Sequence, residues 1–260
     1  MDAERLLKLT TLSDMRKSLL YKLIEGPASL VDIKEHFNIT SANAIPRLKD
    51  LTELNLVIRE DGKYRLTSTG LILAKRLRGM DSLAQILVKG DQFLNGHDLS
   101  PIPDQLLERI DELGDYCIIS NEMDNITATH DQIYNRLPGS KQIIGISPVL
   151  TQSYPEIYLA QAKLGIPVSL IVTEKVLIRI EANYSDFLES YLSNDNAKMY
   201  AVEDVKLALV VTNDFLSMYL YNNGGSLDIM NSIITFDESA TKWGVELFAE
   251  YLGKAREIKG

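Results

Sequence analysis

Residues 56–66, Leu-Val-Ile-Arg-Glu-Asp-Gly-Lys-Tyr-Arg-Leu, constrain this chain more than any other segment. Two short runs flank Asp61-Gly62. Asp-Gly signals a two-residue turn, because both central residues of that turn need positive φ. Val57 and Ile58 therefore read as one strand, and Tyr64, Arg65 and Leu66 as the return. A lone two-stranded hairpin is barely stable in water, so it must rest on other elements, and the sequence before it supplies three helices. Ser13-Asp14 can cap a helix to about Glu25, with Leu12, Met15, Leu19 and Leu23 on one face. Gly26-Pro27 stops it. Ser29 and Asp32 form a Ser-x-x-Asp cap on a second, short helix that turns Leu30, Ile33 and Phe37 inward and ends at Asn38. A third helix runs from about Ser41 to Leu54 and buries Ile45, Leu48 and Leu51 or Leu54. Pro46 either bends that helix near its start or, if the helix proper begins near Asn43, sits in the tolerated first turn. Ser68 or Thr69 caps the helix after the hairpin.

Helix, short helix, helix, hairpin, helix is the order of a winged helix-turn-helix. That fold presents the third helix to the major groove of double-stranded DNA. The expected contacts are Thr40, Ser41, Asn43 and Ala44 in its first turn, then Arg47 and Lys49. Asn43 suits adenine, and Arg47 suits guanine or phosphate. Arg59, Lys63 and Arg65 on the hairpin suit the flanking backbone or minor groove, while Tyr64 packs beneath the wing. The charge distribution agrees. The whole chain carries −9, yet residues 1–80 hold 14 Lys and Arg against 10 Asp and Glu, and the other 180 residues hold 13 against 26. A basic head on an acidic body fits a protein that touches DNA with one module.

With 260 residues, 45% of them hydrophobic, the chain has room for two domains. The reading assigns 1–80 to the head, 81–102 to a connecting helix and linker, and 103–260 to an α/β body. From Thr69 to about Lys89 the chain is helical, and Leu73, Leu77, Met80, Ala84 and Leu87 make a short heptad seam interrupted by Gly79. The seam fits a homodimer or packing on the chain's own body. In the body, a helix over Pro103–Leu113 precedes a strand at Tyr116–Ser120, a helix at Ile126–Leu137 and a strand at Gln142–Ile146. A helix at Tyr154–Leu164, a strand at Pro167–Val172 and a longer helix at Glu174–Ser193 follow. Strands at Lys198–Val202, Lys206–Thr212 and Phe215–Tyr221 and a helix near Glu238–Glu257 end the chain. Helical crossovers followed by a meander make a mixed sheet.

Catalysis finds little support. His36, His97 and His130 are scattered, and neither a P-loop, a dinucleotide fingerprint nor a Gly-x-Ser-x-Gly elbow is present. No metal site and no cofactor are expected. The single Cys117, between Tyr116 and Ile118-Ile119, excludes an internal disulfide and reads as a residue of a buried strand, with a redox-sensing thiol as the other option. The N-terminus shows no signal peptide and no run spans a membrane, so a cytoplasmic setting is expected. Ligands of open α/β sheets bind at strand C-termini. Those ends offer Ser120, Asn121, Ser147, Thr151, Thr173, Thr212 and Asn213, with Tyr154 and Tyr158 nearby. Ser147, Thr151, Tyr154, Tyr158, Thr212 and Asn213 are the effector candidates; the alternative is that such side chains cap helices and turns.

Several stretches resemble one family. They are Ala44-Ile45-Pro46-Arg47-Leu48-Lys49-Asp50-Leu51, Leu56-Val57 and Tyr64-Arg65-Leu66-Thr67-Ser68-Thr69-Gly70 in the head. His97-Asp98-Leu99-Ser100-Pro101-Ile102-Pro103, Leu106-Leu107 and Gly145-Ile146-Ser147-Pro148 follow. Thr212-Asn213-Asp214, Ile234-Thr235-Phe236-Asp237 and Ala240-Thr241-Lys242-Trp243-Gly244-Val245-Glu246-Leu247-Phe248 complete the set, and the last is the most specific. Together they resemble archaeal winged-helix regulators that carry the middle domain of the methanogenesis regulatory (filament-regulator) proteins. The resemblance implies a cytoplasmic, dimeric archaeal transcription regulator. It also implies a non-catalytic, phospholipase-D-like body that senses a small molecule. The phospholipase-D motif His-x-Lys-x-x-x-x-Asp is absent: Leu99 follows His97 and Gln132 follows His130 two positions on. A protein-binding winged helix and a phosphodiester-processing enzyme are the alternative readings.

Overall fold

The computed structural model describes residues 3–11, 13–121, 135–151 and 154–259. The expected helix at Ile126–Leu137 falls mostly outside them, as do Leu12 and His130. The chain forms two compact units, Met1–Gln85 and Ile86–Gly260. The division lies inside one helix, and residues 86–102, expected to be a connector, belong to the second unit.

The first unit begins with a helix that the sequence reading missed, α1 (Ala3–Thr11), followed by α2 (Asp14–Ile24). Next come a two-residue strand β1 (Ala28–Ser29), α3 (Leu30–Phe37) and α4 (Ser41–Glu53). The hairpin β2 (Val57–Glu60) and β3 (Lys63–Leu66) leads into α5 (Ser68–Lys89). The capping box on α3 forms as read: Asp32 N–H donates to the Ser29 hydroxyl, and Ser29 N–H donates to the Asp32 carboxylate. Asn38 closes α3 in the left-handed conformation, which Asn tolerates better than most residues. Asp61 and Gly62 both have positive φ, as the two-residue turn requires. Ala28 and Ser29 pair with Tyr64 and Lys63, so the wing is a three-stranded sheet in order β1-β3-β2. Two residues after Gly-Pro are too few to read as a strand.

The core of this unit joins Leu19, Leu20, Leu23, Ile33, Ala44, Leu48, Leu51, Leu54, Leu56 and Leu77. Burying a side chain of leucine size contributes roughly 1.5–3 kcal/mol. Two expectations about α4 are corrected here. Ala44, expected at the DNA, is fully buried, and Ile45, expected in the core, is 46% exposed. Leu48, Leu51 and Leu54 are buried as read, and only the first member of the stripe changes, from Ile45 to Ala44; one residue is ~100° of helix. Pro46 lies inside a helix that already starts at Ser41, and it withholds a backbone donor from the Ala42 carbonyl.

The start of α5 is pinned to the strand before it. Thr67, rather than Ser68 or Thr69, provides the cap, its hydroxyl accepting from Gly70 N–H. Thr67 N–H donates to the Leu56 carbonyl at 3.0 Å. Gly70 lies so close to Leu56 that a Cβ there would stand 1.9 Å from the same oxygen. The expected seam splits along α5: Leu73 and Leu77 join the core, whereas Met80, Ala84 and Leu87 are exposed.

The second unit begins with the end of α5, then α6 (Asp91–Gly96), α7 (Asp104–Leu107) and a 3-10 turn at Ile110–Leu113, so the helix expected over 103–113 is broken. The strands are β4 (Cys117–Ser120), β5 (Ile143–Ser147), β6 (Val168–Thr173), β7 (Ala197–Val202), β8 (Leu207–Thr212), β9 (Leu216–Leu220), β10 (Asn231–Thr235) and β11 (Arg256–Ile258). The helices are α8 (Tyr154–Lys163), α9 (Glu174–Asn183), α10 (Ser185–Leu192) and α11 (Glu238–Leu252). Tyr184, with φ −141° and ψ 39°, breaks the long helix expected over 174–193 into α9 and α10. Among the described residues the strands form one eight-stranded sheet, β11-β7-β6-β5-β8-β9-β10-β4. β5, β6 and β7 are parallel and joined by helices, and β8, β9 and β10 form the antiparallel meander. Strands β10 and β11 had no counterpart in the sequence reading.

Cys117 lies in a strand as expected but is exposed, because among the described residues β4 is an edge strand paired only to β10. Trp243 is fully buried and donates from Nε1 to the Leu106 carbonyl. Its neighbour Gly244 faces Leu216 and Val211, where a Cβ would stand 2.5 and 2.7 Å from their methyl carbons. Arg109 is bridged to Glu112 and Glu246. The most specific stretch of the family resemblance thus joins α11 to the sheet and to the segment before it. No helix is long and apolar enough to cross a membrane among the described residues.

Candidate functional site

Each unit carries one candidate site. In the first, the N-terminal end of α4 leaves Thr40 and Asn43 exposed and Ser41 half-buried. Arg47 is half-buried and donates from Nη1 to the carbonyl of Asn43, one turn back. Its guanidinium is held along the helix and keeps other donors for a ligand. Lys49, two residues on, is exposed and lies 3.9 Å from Glu53, too loose a pair to hold it. The exposed face of α4 is therefore polar at Asn43 and Lys49 and apolar at Ile45.

On the wing, Tyr64 is buried as expected, and the Arg59 guanidinium lies over its ring, 5.5 Å from the centroid. Neither Arg59 nor Lys63 has a carboxylate within salt-bridge distance among the described residues. Arg65 differs. It forms a two-pronged pair with Glu60 across the hairpin, 2.8 and 2.9 Å long. Glu60 is held below the ordinary carboxylate range by that hydrogen bond. Of the three wing cations, Arg59 and Lys63 are thus the ones open to an anion.

In the second unit the six effector candidates do not converge. β8 runs antiparallel to β5, with Thr212 opposite Ile143. Thr212 and Asn213 therefore lie at the end of the sheet opposite Ser147; the expectation treated all strand C-termini as one edge. Both are occupied there. The Thr212 hydroxyl accepts from Asp214 and Phe215 N–H, and the Asn213 carbonyl oxygen accepts from Lys141 N–H. Thr173 likewise caps α9 by accepting from Val176 N–H. Thr151 supplies the backbone carbonyl that receives Tyr154 N–H.

Ser147, Tyr154 and Tyr158 do come together, around a cavity of about 50 Å³. The Ser147 hydroxyl donates to the Val149 carbonyl. The Tyr154 and Tyr158 rings meet edge to face at 6.0 Å. Burial pushes both hydroxyls well above their ordinary pKa, and for Tyr154 the neighbouring Tyr158 and Tyr219 add to that. They are neutral hydroxyls at any physiological pH. The rest of the lining was missed: Gly145, Leu170, Met199, Val210, Ser217 and Tyr219 among others. The available signal was a small residue inside an apolar strand, in Ile-Ile-Gly-Ile and Leu-Ser-Met-Tyr-Leu. Its meaning appears only once strand register is known. No cluster of three metal-ligating side chains exists among the described residues.

Comparison with known proteins bears on both units. A family model described as the methanogenesis regulatory protein FilR1, N-terminal domain, matches residues 4–84, and one for the middle domain of the same protein matches residues 126–254. Together these spans cover most of the chain. This chain belongs to the FilR1 family of regulatory proteins. The methanogenesis regulatory protein FilR1 of Methanothrix harundinacea (strain 6Ac) is 28% identical over 264 aligned positions, a match that covers 99% of this chain and 59% of the relative. The chain thus spans about six-tenths of that curated relative's length. Among solved structures, TrmBL2, an archaeal chromatin protein, is 13% identical with a TM-score of 0.44, covering 96% of this chain and 97% of that one. Nuc, a phospholipase D family member from Salmonella typhimurium, is 8% identical with a TM-score of 0.41, covering 56% of this chain and 99% of that one.

Proposed function

We propose that this chain is a DNA-binding transcription regulator, and not an enzyme, in which the first unit contacts duplex DNA and the second responds to a small molecule. The observation that carries the reading is the solvent-open first turn of α4 beside a wing with two unneutralised cations. A helix of this kind fits the major groove, with its N-terminal residues at base edges. Asn43 and Arg47 are the base-reading side chains, and Thr40 and Ser41 contact phosphate. Lys49, Arg59 and Lys63 add sequence-independent affinity, and Arg65 contributes less because Glu60 already holds it. Ala44 is not a contact, since it is buried. A homodimer is part of the proposal: Met80, Leu87 and Val88 are 62, 49 and 81% exposed on α5, and two-fold pairing suits helix-turn-helix proteins on palindromic sites. Effector binding in the second unit would favour one arrangement of the dimer and so alter DNA affinity. The site of action is the cytoplasm, where the chromosome lies.

The test is titration of the full chain onto duplexes from its own promoter region, alongside Asn43→Ala and Arg47→Ala. Sequence-specific binding that each variant weakens by ~1–3 kcal/mol is expected. Binding to protein partners with none to duplex DNA refutes the reading.

A further inference from the structure

Strand register explains why a cavity exists in the second unit. Met199, Leu170, Gly145, Val210, Ser217 and Ile234 are successive partners across β7, β6, β5, β8, β9 and β10. They form one row across one face of the sheet. At the ends of the row the side chains are long. In the middle they shrink to hydrogen, isopropyl and hydroxymethyl. The floor therefore dips at Gly145, beneath Tyr158 of α8. A Cβ on Gly145 would stand 3.1 Å from the Leu170 methyl and 3.9 Å from the Tyr158 hydroxyl. The tyrosine oxygen hangs over the glycine.

The walls are almost entirely apolar, and no charged side chain lines them among the described residues. The polar groups that do face the space are hydroxyls. One of them is telling: the Ser217 hydroxyl, 1% exposed, has no hydrogen-bond partner among the described residues. A buried hydroxyl left unpaired costs about 1–3 kcal/mol. Leaving it in the middle of an apolar sheet face is explained if a ligand supplies the partner.

We propose that this cavity is the effector pocket and that it takes a small, neutral, mainly apolar molecule with one hydrogen-bonding group, which pairs with Ser217. The proposal rests on the effector reading above. A void of ~10–15 Å³ holds one water, so the space suits a molecule of a few heavy atoms in the class of short-chain alcohols. Ionised ligands are disfavoured, because nothing in the walls compensates a buried charge.

The test uses the full chain with ¹³C-methyl methionine, following the Met199 resonance during titration with n-butanol, n-butylammonium and n-butyrate. The first two are nearly isosteric and differ in charge. Saturable shifts with n-butanol, and none with either ion, are expected. A weak, millimolar affinity is appropriate to so few atoms. Ser217→Ala, which removes an unpaired hydroxyl and should fold at least as well, is expected to weaken n-butanol ~tenfold, and Gly145→Ala to abolish saturation by raising the floor. Equal binding of the ions, no binding of n-butanol, or indifference to both substitutions overturns the proposal. DNA affinity measured with and without n-butanol separates the two readings. A butanol site in a chain that never binds DNA refutes the regulator and leaves the pocket. DNA binding with no butanol site refutes the pocket and leaves the regulator. Butanol bound at Ser217 with DNA affinity unchanged overturns the effector role of the cavity.

Discussion

Replacing Gly70 by alanine should unfold the head more easily, although a helix interior usually gains from that change. Alanine is favoured over glycine in a helix by about 1 kcal/mol. At position 70 the new Cβ would stand 1.9 Å from the Leu56 carbonyl oxygen and 2.8 Å from its carbon. Both are backbone atoms and cannot rotate away. Restoring ordinary contact requires a shift of about 1.5 Å between the start of α5 and the strand entry. That shift breaks the Thr67 N–H bond to the same oxygen, now 3.0 Å long. The lost bond contributes ~1 kcal/mol, and forced displacement in a packed region costs ~1–3 kcal/mol. Net of the helix gain, Gly70→Ala destabilises by roughly 1–3 kcal/mol. Trp243 is the only tryptophan and belongs to the second unit. Urea unfolding of the full chain followed by tryptophan fluorescence should therefore be unchanged, while far-UV circular dichroism gains an earlier transition. A circular-dichroism curve that stays put or moves to higher urea would refute the reasoning, because the clash would then be absent.

Three further outcomes are expected. Asp81 ties α5 to α2 by accepting from Lys17 Nζ at 2.9 Å and from the Tyr21 hydroxyl at 2.9 Å; Asp81→Ala should destabilise the head by only about 1 kcal/mol, seen as a slightly lower circular-dichroism midpoint, because the side chain is 40% exposed. Burial works to raise the pKa of Asp228, but hydrogen bonds from Asn231, Met230 N–H and His97 outweigh it and hold the pKa below the ordinary value. A depressed folded-state pKa stabilises above the unfolded value of ~3.9 and is lost as pH falls through the lower folded value, so the fluorescence midpoint should drop on acidification below about pH 4 and lose that component of its pH dependence in Asp228→Asn. Arg59→Ala with Lys63→Ala should weaken binding to every duplex alike and flatten the salt dependence by about one unit per lost phosphate contact, whereas Arg65→Ala should change the slope less.

Local signals carried the head and strand register hid the cavity. The Asp61-Gly62 turn, the Ser29–Asp32 box and Asn38 act within a few residues of themselves, so their chemistry is visible in order along the chain. At the start of α4 the reading chose Ile45 over Ala44 because both are apolar, and only the neighbours choose between them. The breaks at Leu107 and Tyr184 and the short strands β1 and β11 depend on packing that no local pattern encodes. The effector candidates were divided for a related reason: Thr212 ends a strand running opposite to β5, and direction within a sheet is a tertiary property. Ser217 and Gly145 are 72 positions apart, and nothing in either segment announces that Val210 brings them into one row.

The claim on which the rest depends is that the open turn of α4 and the wing together grip a duplex. Its most direct measurement is fluorescence anisotropy of the full chain on fragments selected from the host genome, across roughly a tenfold range of salt. The account predicts tight binding at low salt, a log-linear fall with a slope near −0.9 per phosphate contact, and loss of sequence preference in Arg47→Ala. Failure to retain any genomic fragment at low salt, or retention that ignores both salt and Arg47, contradicts it.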